Sequence, residues 1–236
     1  MVGNKYNCKQ ITGSIGLLFV LMAALTAARC DNDKPFASQL ITFILPVTLY
    51  PSDSVTHIGD TLWVTANISA SLVEFNTNKK YRLENFDFGQ TSIVIRELTN
   101  KTKNLGNQPS AAVNFNQIVE IGEITFPGET YVDFKFKYDE NSQKYLLKIG
   151  LIPMKAGVFS INFLSPKQLL YNGLIDLGRD SNGVIIVPIY EDLVFPINNG
   201  VNNFDLFKRN CLDVSDGPPE NYRTNDRYVT FTFRVK

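Results

Sequence analysis

From residue 35 onward, hydrophobic and polar residues alternate along most of the chain. The clearest run is 227–236, where the apolar positions are Val229, Phe231, Phe233 and Val235 and the polar ones are Thr230, Thr232, Arg234 and Lys236. A period of two places successive side chains on opposite faces of a β-strand. The run therefore predicts a C-terminal strand with one buried face and one solvent-facing face.

Further runs share this period and are rich in Val, Ile, Phe, Tyr and Thr, the residues that favour strands. They cover 40–50, 61–69, 92–98, 113–124, 131–138, 145–152, 157–164, and 184–190 with 193–197. Turn-forming residues separate them, as in Asp139-Glu140-Asn141-Ser142, which predicts a hairpin loop. Helical periodicity is weak and is confined to 166–171 and 202–210. Without helices long enough for parallel crossovers, the pattern predicts an all-β fold, an antiparallel β-sandwich.

The sandwich is expected to occupy 39–236 as one domain. The segment 99–110 is the most linker-like part of this range, since it combines Asn, Lys, Gly and Pro. We interpret it as a long surface loop. The alternative is that two small sandwiches meet near 99–110.

The first 29 residues have the organisation of an export signal. Lys5 and Lys9 precede an apolar stretch over 11–28 that ends in small residues. This order predicts a signal peptide over 1–29, with a signal helix that is removed from the mature protein. A retained membrane anchor is the alternative, because the stretch is at the lower limit of length for a membrane-spanning helix.

A cysteine stands where the small residues of the signal end, in Thr26-Ala27-Ala28-Arg29-Cys30. This resembles the signal of a bacterial lipoprotein, whose cysteine becomes the first mature residue and carries acyl chains. The resemblance implies lipid attachment at Cys30, a tether over 30–38 and the membrane as a partner. Arg29 occupies a position where that family has Gly, Ala or Ser. The alternative is cleavage after Ala28, which leaves Cys30 able to form a disulfide with Cys211.

Several segments together resemble a family of uncharacterised surface lipoproteins of the Bacteroidota. They are Cys30-Asp31-Asn32-Asp33, Ile58-Gly59-Asp60-Thr61-Leu62-Trp63-Val64-Thr65-Ala66, Lys148-Ile149-Gly150-Leu151-Ile152-Pro153 and Gly157-Val158-Phe159. The resemblance implies an immunoglobulin-like β-sandwich and a surface-exposed location in the cell envelope, at the outer membrane. It implies no activity and no cofactor.

Two short motifs match the pattern on which exported Bacteroidota proteins carry O-linked glycans, an Asp followed by Ser or Thr and then an apolar residue. They are Asp53-Ser54-Val55 and Asp60-Thr61-Leu62. The match implies O-glycosylation at Ser54 and Thr61. The alternative is that both are unmodified turn residues.

Charge and composition exclude several classes of protein. The chain has 23 Lys and Arg against 23 Asp and Glu, and the predicted signal removes three bases and no acid, leaving 20 against 23. A mildly acidic mature chain argues against a nucleic-acid partner. Three cysteines and one histidine argue against a disulfide framework, and they leave little for zinc binding or imidazole catalysis.

The remaining chemistry-bearing residues have structural interpretations. His57 is expected to be a loop residue, because no Gly-x-Ser-x-Gly motif accompanies it. Trp63 is interpreted as a core anchor, with stacking on a sugar from the outer face as the alternative. Cys211 is expected to be a buried thiol. The oxygen-rich segment 176–183 is interpreted as a turn rather than a calcium site, so no metal is expected.

Two sets of residues remain as candidate sites. The acid pairs 120/123 and 191/192 could serve a glycosidase only if two carboxyls faced each other across a cleft. Loops at the end of a sandwich often carry binding residues, and the segment 217–223 predicts such a loop, with Pro218, Pro219 and Tyr222 as candidates.

The sequence thus predicts a non-enzymatic binding or assembly module, with a glycan or another envelope protein as its partner. The alternatives are an envelope glycan hydrolase with paired carboxylates and a structural subunit of a surface assembly. An exposed aromatic patch would favour the glycan binder, and a cleft with two carboxyls of raised pKa would favour the hydrolase.

Overall fold

A computed structural model describes residues 37–88, 91–164, 186–212, 214 and 226–236, which are mostly β-strand. The strands are β1 (Ala37–Ile44), β2 (Thr48–Tyr50), β3 (Val55–Thr56), β4 (Leu62–Ser69), β5 (Ser71–Glu74), β6 (Lys80–Arg82), β7 (Thr91–Glu97), β8 (Phe115–Ile121), β9 (Glu123–Pro127), β10 (Tyr131–Lys135), β11 (Lys137–Asp139), β12 (Lys144–Pro153), β13 (Gly157–Leu164), β14 (Ile186–Val194) and β15 (Thr230–Val235). The helical segments are 3-10 turns at Leu105–Asn107, Ala112–Asn114 and Asn198–Gly200, and the helices α1 (Phe204–Asn210) and α2 (Asp226–Val229). The predicted all-β class is confirmed.

These strands form three open sheets. Sheet I has the order β11-β12-β4-β2, and β8 also pairs with β12. Sheet II has the order β3-β15-β13-β7-β10-β9, and sheet III has the order β14-β1-β5-β6. Because β7 and β13 are neighbours in sheet II, strands from both sides of the segment 99–110 lie in one sheet.

The core lies between the facing sides of sheets I and II. Phe115 of β8 contacts Phe159 of β13 edge-on, with ring centroids 5.0 Å apart, and both rings are buried. Phe233 of β15 packs on the same pair. Such interdigitation of large apolar side chains from two sheets is what an all-β sandwich requires, and the arrangement is consistent with that fold.

Two chain segments pass from one sheet to the other at the same corner. β8 of sheet I continues into β9 of sheet II through Gly122, and β10 of sheet II continues into β11 of sheet I through Phe136. Gly122 has a φ of +93°, and a Cβ there would lie 2.7 Å from the carbonyl oxygen of Lys135. The corner therefore requires glycine both for backbone conformation and for the close approach of another strand.

The expectation of a purely antiparallel sheet is wrong for two strand pairs. β1 runs parallel to β14, and β3 runs parallel to β15. A parallel pair needs a long connection, and the absence of crossover helices excludes only parallel pairs between strands that are close in sequence. Here the partners come from opposite ends of the described chain, so the intervening strands themselves provide the connection.

In the C-terminal strand β15, part of the face that was predicted to be exposed to solvent is buried. Thr230 and Thr232 of β15 are buried, whereas Arg234 is exposed as expected. The reason is that α1 packs against β15, and the Thr232 N–H donates to the carbonyl oxygen of Asn202 just before that helix. The predicted helical segment 202–210 is thus confirmed as α1, and the segment 166–171 lies outside the described residues.

Replacing Gly122 with alanine tests the corner. We expect Gly122→Ala to destabilise the fold by about 3 kcal/mol, because it adds a backbone clash to an unfavourable φ. Gly59 has a similar φ of +88°, but no atom of the described ranges lies within 4 Å of its missing Cβ. Gly59→Ala is therefore the matched control, with an expected cost of about 1 kcal/mol. Urea unfolding of both variants measures the difference, and equal costs would contradict this account of the corner.

Candidate functional site

The outer face of sheet I carries a row of residues from four neighbouring strands. Tyr50 of β2 is in register with Trp63 of β4, Trp63 with Gly150 of β12, and Gly150 with Ile118 of β8. Residues in register across strands project from the same face of a sheet. We call these four residues the aromatic row.

The burial of neighbouring residues shows that this row faces away from the core. Leu49 and Val64, each next in sequence to a member of the row, are in register with each other and buried. Tyr50 is 67% exposed and Ile118 is 40% exposed. The aromatic row therefore places apolar and aromatic surface in solvent.

The interpretation of Trp63 as a core anchor is wrong. In β4 the buried positions are Leu62, Val64, Ala66 and Ile68, so the alternation of the strand places Trp63 on the opposite face. Trp63 is half-buried, and the ammonium group of Lys148 lies over its ring, 4.6 Å from the centroid. Lys148 also forms an ion pair with Glu120, with 2.6 Å between Nζ and Oε2. This polar pair borders the indole and holds a cation against one of its faces.

Gly150 allows the side chains beside it to lie close to the backbone of β12. A Cβ at this position would lie 2.6 Å from Ile118 Cγ1 and 2.7 Å from Thr61 Cγ2. The absence of a side chain therefore lets both neighbours lie close over the backbone of β12. Thr61, one of the two residues predicted to be O-glycosylated, is half-buried and lies beside the aromatic row.

An open cavity of about 580 Å³ lies near α1, and we call it the basic cavity. Its lining residues are Ser54, Gly200, Val201, Asn202, Asn203, Phe204, Asp205, Leu206, Lys208, Arg209 and Arg227. Ser54, the other predicted glycosylation site, is exposed at its edge. The Asn203 side chain donates to the carbonyl oxygen of Ser52 at 3.2 Å, which fixes the position of the β2–β3 connection beside the cavity.

A smaller cavity of about 230 Å³ is lined mainly by aromatic rings near the corner between sheets I and II. Tyr145 is fully satisfied there, since its hydroxyl accepts from the Phe86 N–H and donates to the Leu83 carbonyl. The Tyr138 hydroxyl is buried and has no hydrogen-bond partner among the described residues. Burial, and next the charge of Glu84, raises the pKa of Tyr138, so this phenol stays protonated at neutral pH.

His57 lies in a turn on the surface, as expected. Its backbone N–H donates to Asp60 Oδ2 at 2.8 Å, and its ring Nδ1 is 3.3 Å from the same oxygen. The backbone hydrogen bond is the main reason why the pKa of Asp60 is lowered. Both side chains are largely exposed, so the pair is a surface feature.

Of the two acid pairs considered for hydrolysis, only 120/123 has side chains among the described residues. Glu120 is engaged by Lys148 on the outer face of sheet I, whereas Glu123 begins β9 beyond the Gly122 corner. The side chains of 191 and 192 lie outside the described residues. Hydrogen bonds lower the pKa of Glu74 despite the opposing effect of its burial, and the Ser142 hydroxyl is the main cause that lowers the pKa of Asp139.

Several predicted residues lie outside the described residues: Cys30, Pro218, Pro219, Tyr222 and the oxygen-rich segment 176–183. Cys211 is described and buried, with its Sγ 3.6 Å from the carbonyl oxygen of Lys103. Within the described ranges, no three His, Cys, Asp or Glu side chains come together as metal ligands. No helix in the same ranges has the length and apolar character needed to cross a membrane.

The amino-acid sequence contains a signal for the aromatic row and no local signal for the basic cavity. The alternation that buries Leu62 and Val64 already places Trp63 on the other face. The basic cavity, by contrast, joins Ser54 to residues about 150 positions later, and no local pattern signals that contact. No protein-family model and no curated protein matches this chain.

Proposed function

We propose that this protein is an exported, lipid-anchored envelope protein whose β-sandwich binds a glycan through the aromatic row and catalyses no reaction. The observation that carries the proposal is the pair formed by Tyr50 and Trp63, in register on the solvent side of sheet I. Sugar rings present flat C–H surfaces that pack on aromatic faces, and their hydroxyls need polar partners at the edge. The aromatic row and its polar neighbours supply both.

Each neighbour of the row has a role in the proposal. Lys148 covers one face of the indole, so a sugar would stack on the other face or on Tyr50. Lys148 and Glu120 lie at the border, where an ammonium donates to sugar hydroxyls and a carboxylate accepts from them. Gly150 lets Ile118 and Thr61 lie flat, so that a ligand can extend across β12.

A second exposed aromatic pair is less suited to this role. Phe126 and Tyr131 lie on either side of the β9–β10 turn, with ring centroids 6.2 Å apart and planes inclined at 48°. The two rings pack against each other across that turn, which leaves less of each available as a flat platform. The Phe126 and Tyr131 pair therefore provides a matched control.

The finer fold assignment is also part of the proposal. Two packed sheets, chain connections that cross between them and a core built from alternate residues support an immunoglobulin-like sandwich. We treat 39–236 as one such sandwich, because β7 and β13 pair directly across the segment 99–110.

Three carboxyls among the described residues are unsuited to serve as the acid of a glycan hydrolase. Glycan hydrolysis by two carboxyls needs one whose pKa is raised, so that it can donate a proton. Asp60, Glu74 and Asp139 all have lowered pKa values, and each accepts hydrogen bonds in a turn. Their chemistry is that of turn stabilisation.

Loss of the two aromatic rings of the row is expected to weaken glycan binding. We expect Tyr50→Ala with Trp63→Ala to weaken binding of a neutral oligosaccharide by at least about tenfold, since each lost stacking contact is worth about 1 kcal/mol. A glycan array identifies the oligosaccharide, and isothermal titration calorimetry measures the change.

The control is Phe126→Ala with Tyr131→Ala, which removes two exposed aromatic rings elsewhere and should leave affinity unchanged. If this control lost binding while the double variant of the row kept it, the ligand would bind at the β9–β10 turn and the proposal would be wrong. If the intact protein bound no glycan, the proposal would also fail.

The lipid anchor has its own test. Mass spectrometry of the mature N-terminus from native cells should find Cys30 as the first residue, with acyl chains that add the mass of at least two fatty acids. A mature chain that begins at Arg29, or a Cys30 without acyl groups, would contradict the anchor.

A further inference from the structure

The basic cavity is lined by two arginines that are exposed to solvent. Arg209 at the end of α1 and Arg227 in α2 are exposed, and neither forms an ion pair within the described part of the chain. Lys208 differs, because its ammonium group lies 3.4 Å from Asp205 Oδ1 and 5.2 Å from the centroid of the Phe204 ring. The two guanidinium groups are thus the available cations of the cavity.

The same cavity holds a hydrogen-bond acceptor at its rim. The Asp205 carboxylate is largely exposed there, with the Lys208 ammonium beside its Oδ1. Asn202 also lines the cavity, but its Oδ1 is buried out of reach of a ligand, and its Nδ2 donates to the carbonyl oxygen of Arg227.

The arginines and Asp205 restrict the chemistry of the ligand. Two arginines favour an anion, and guanidinium groups match the geometry of a carboxylate. A bare anion such as phosphate has few hydrogens to donate to the Asp205 carboxylate. A carboxylated sugar offers its carboxylate to Arg209 and Arg227 and its hydroxyls to Asp205.

We propose that the basic cavity is a binding site for an acidic sugar residue, such as a uronic acid unit of a glycan. The site goes beyond the proposed function and stands without it, because none of its lining residues belongs to the aromatic row. Ser54 is exposed at its edge, so O-glycosylation of Ser54 would place a glycan beside this cavity.

The test compares trigalacturonic acid with neutral galactotriose by isothermal titration calorimetry on the mature protein. We expect the acidic trisaccharide to bind, and Arg209→Ala with Arg227→Ala to weaken that binding by at least about tenfold. Both arginines are exposed, so the thermal unfolding midpoint of the double variant should stay close to that of the wild type.

The matched control is Lys79→Ala with Lys101→Ala, which removes two exposed positive charges outside the cavity and should preserve binding. Inorganic phosphate serves as the probe for a bare anion. The proposal is overturned if galactotriose or phosphate binds as tightly as trigalacturonic acid, if the acidic trisaccharide does not bind, or if the arginine variant binds it normally. The tests of the aromatic row use neutral sugars and different residues, so either proposal can fail alone.

Discussion

Burial of one face of β4 determines where the surface chemistry of this protein lies. Leu62, Val64, Ala66 and Ile68 are all buried against the opposing sheet. Since a strand alternates its side chains between two faces, Trp63 and Thr65 must occupy the other face. The register with β2 and β12 then places Tyr50 and Gly150 beside Trp63. A register slip of one residue would bury Trp63 and expose the core residues. The register that packs the core of β4 therefore also determines which residues form the binding surface.

The second constraint is the way the two sheets are held together. Gly122 and Phe136 let two strands cross between sheets at one corner, and the parallel pairs join strands from opposite ends of the described chain. These long-range pairings place Ser54 close to α1 and α2, and so they create the basic cavity. The same topology keeps the aromatic row on sheet I separate from that cavity.

Sequence alone predicted much of the strand content, because alternation and turn residues are local signals. It did not predict β5, β6 or the parallel pairing of β1 with β14, since strand partners depend on the whole fold. The buried state of Thr230 and Thr232 depends on α1 packing over β15, which no period within β15 can show. Trp63 is different, because the alternation of β4 itself signals that this residue faces outward, although a large apolar ring usually favours burial.

Tryptophan fluorescence tests whether Trp63 faces solvent and touches the ligand, because Trp63 is the only tryptophan of the chain. We expect acrylamide to quench the emission of the folded protein, and we expect the neutral glycan that binds to shift the emission and protect it from quenching. A blue-shifted emission that resists acrylamide and ignores saturating glycan would place the indole in the core and contradict the account.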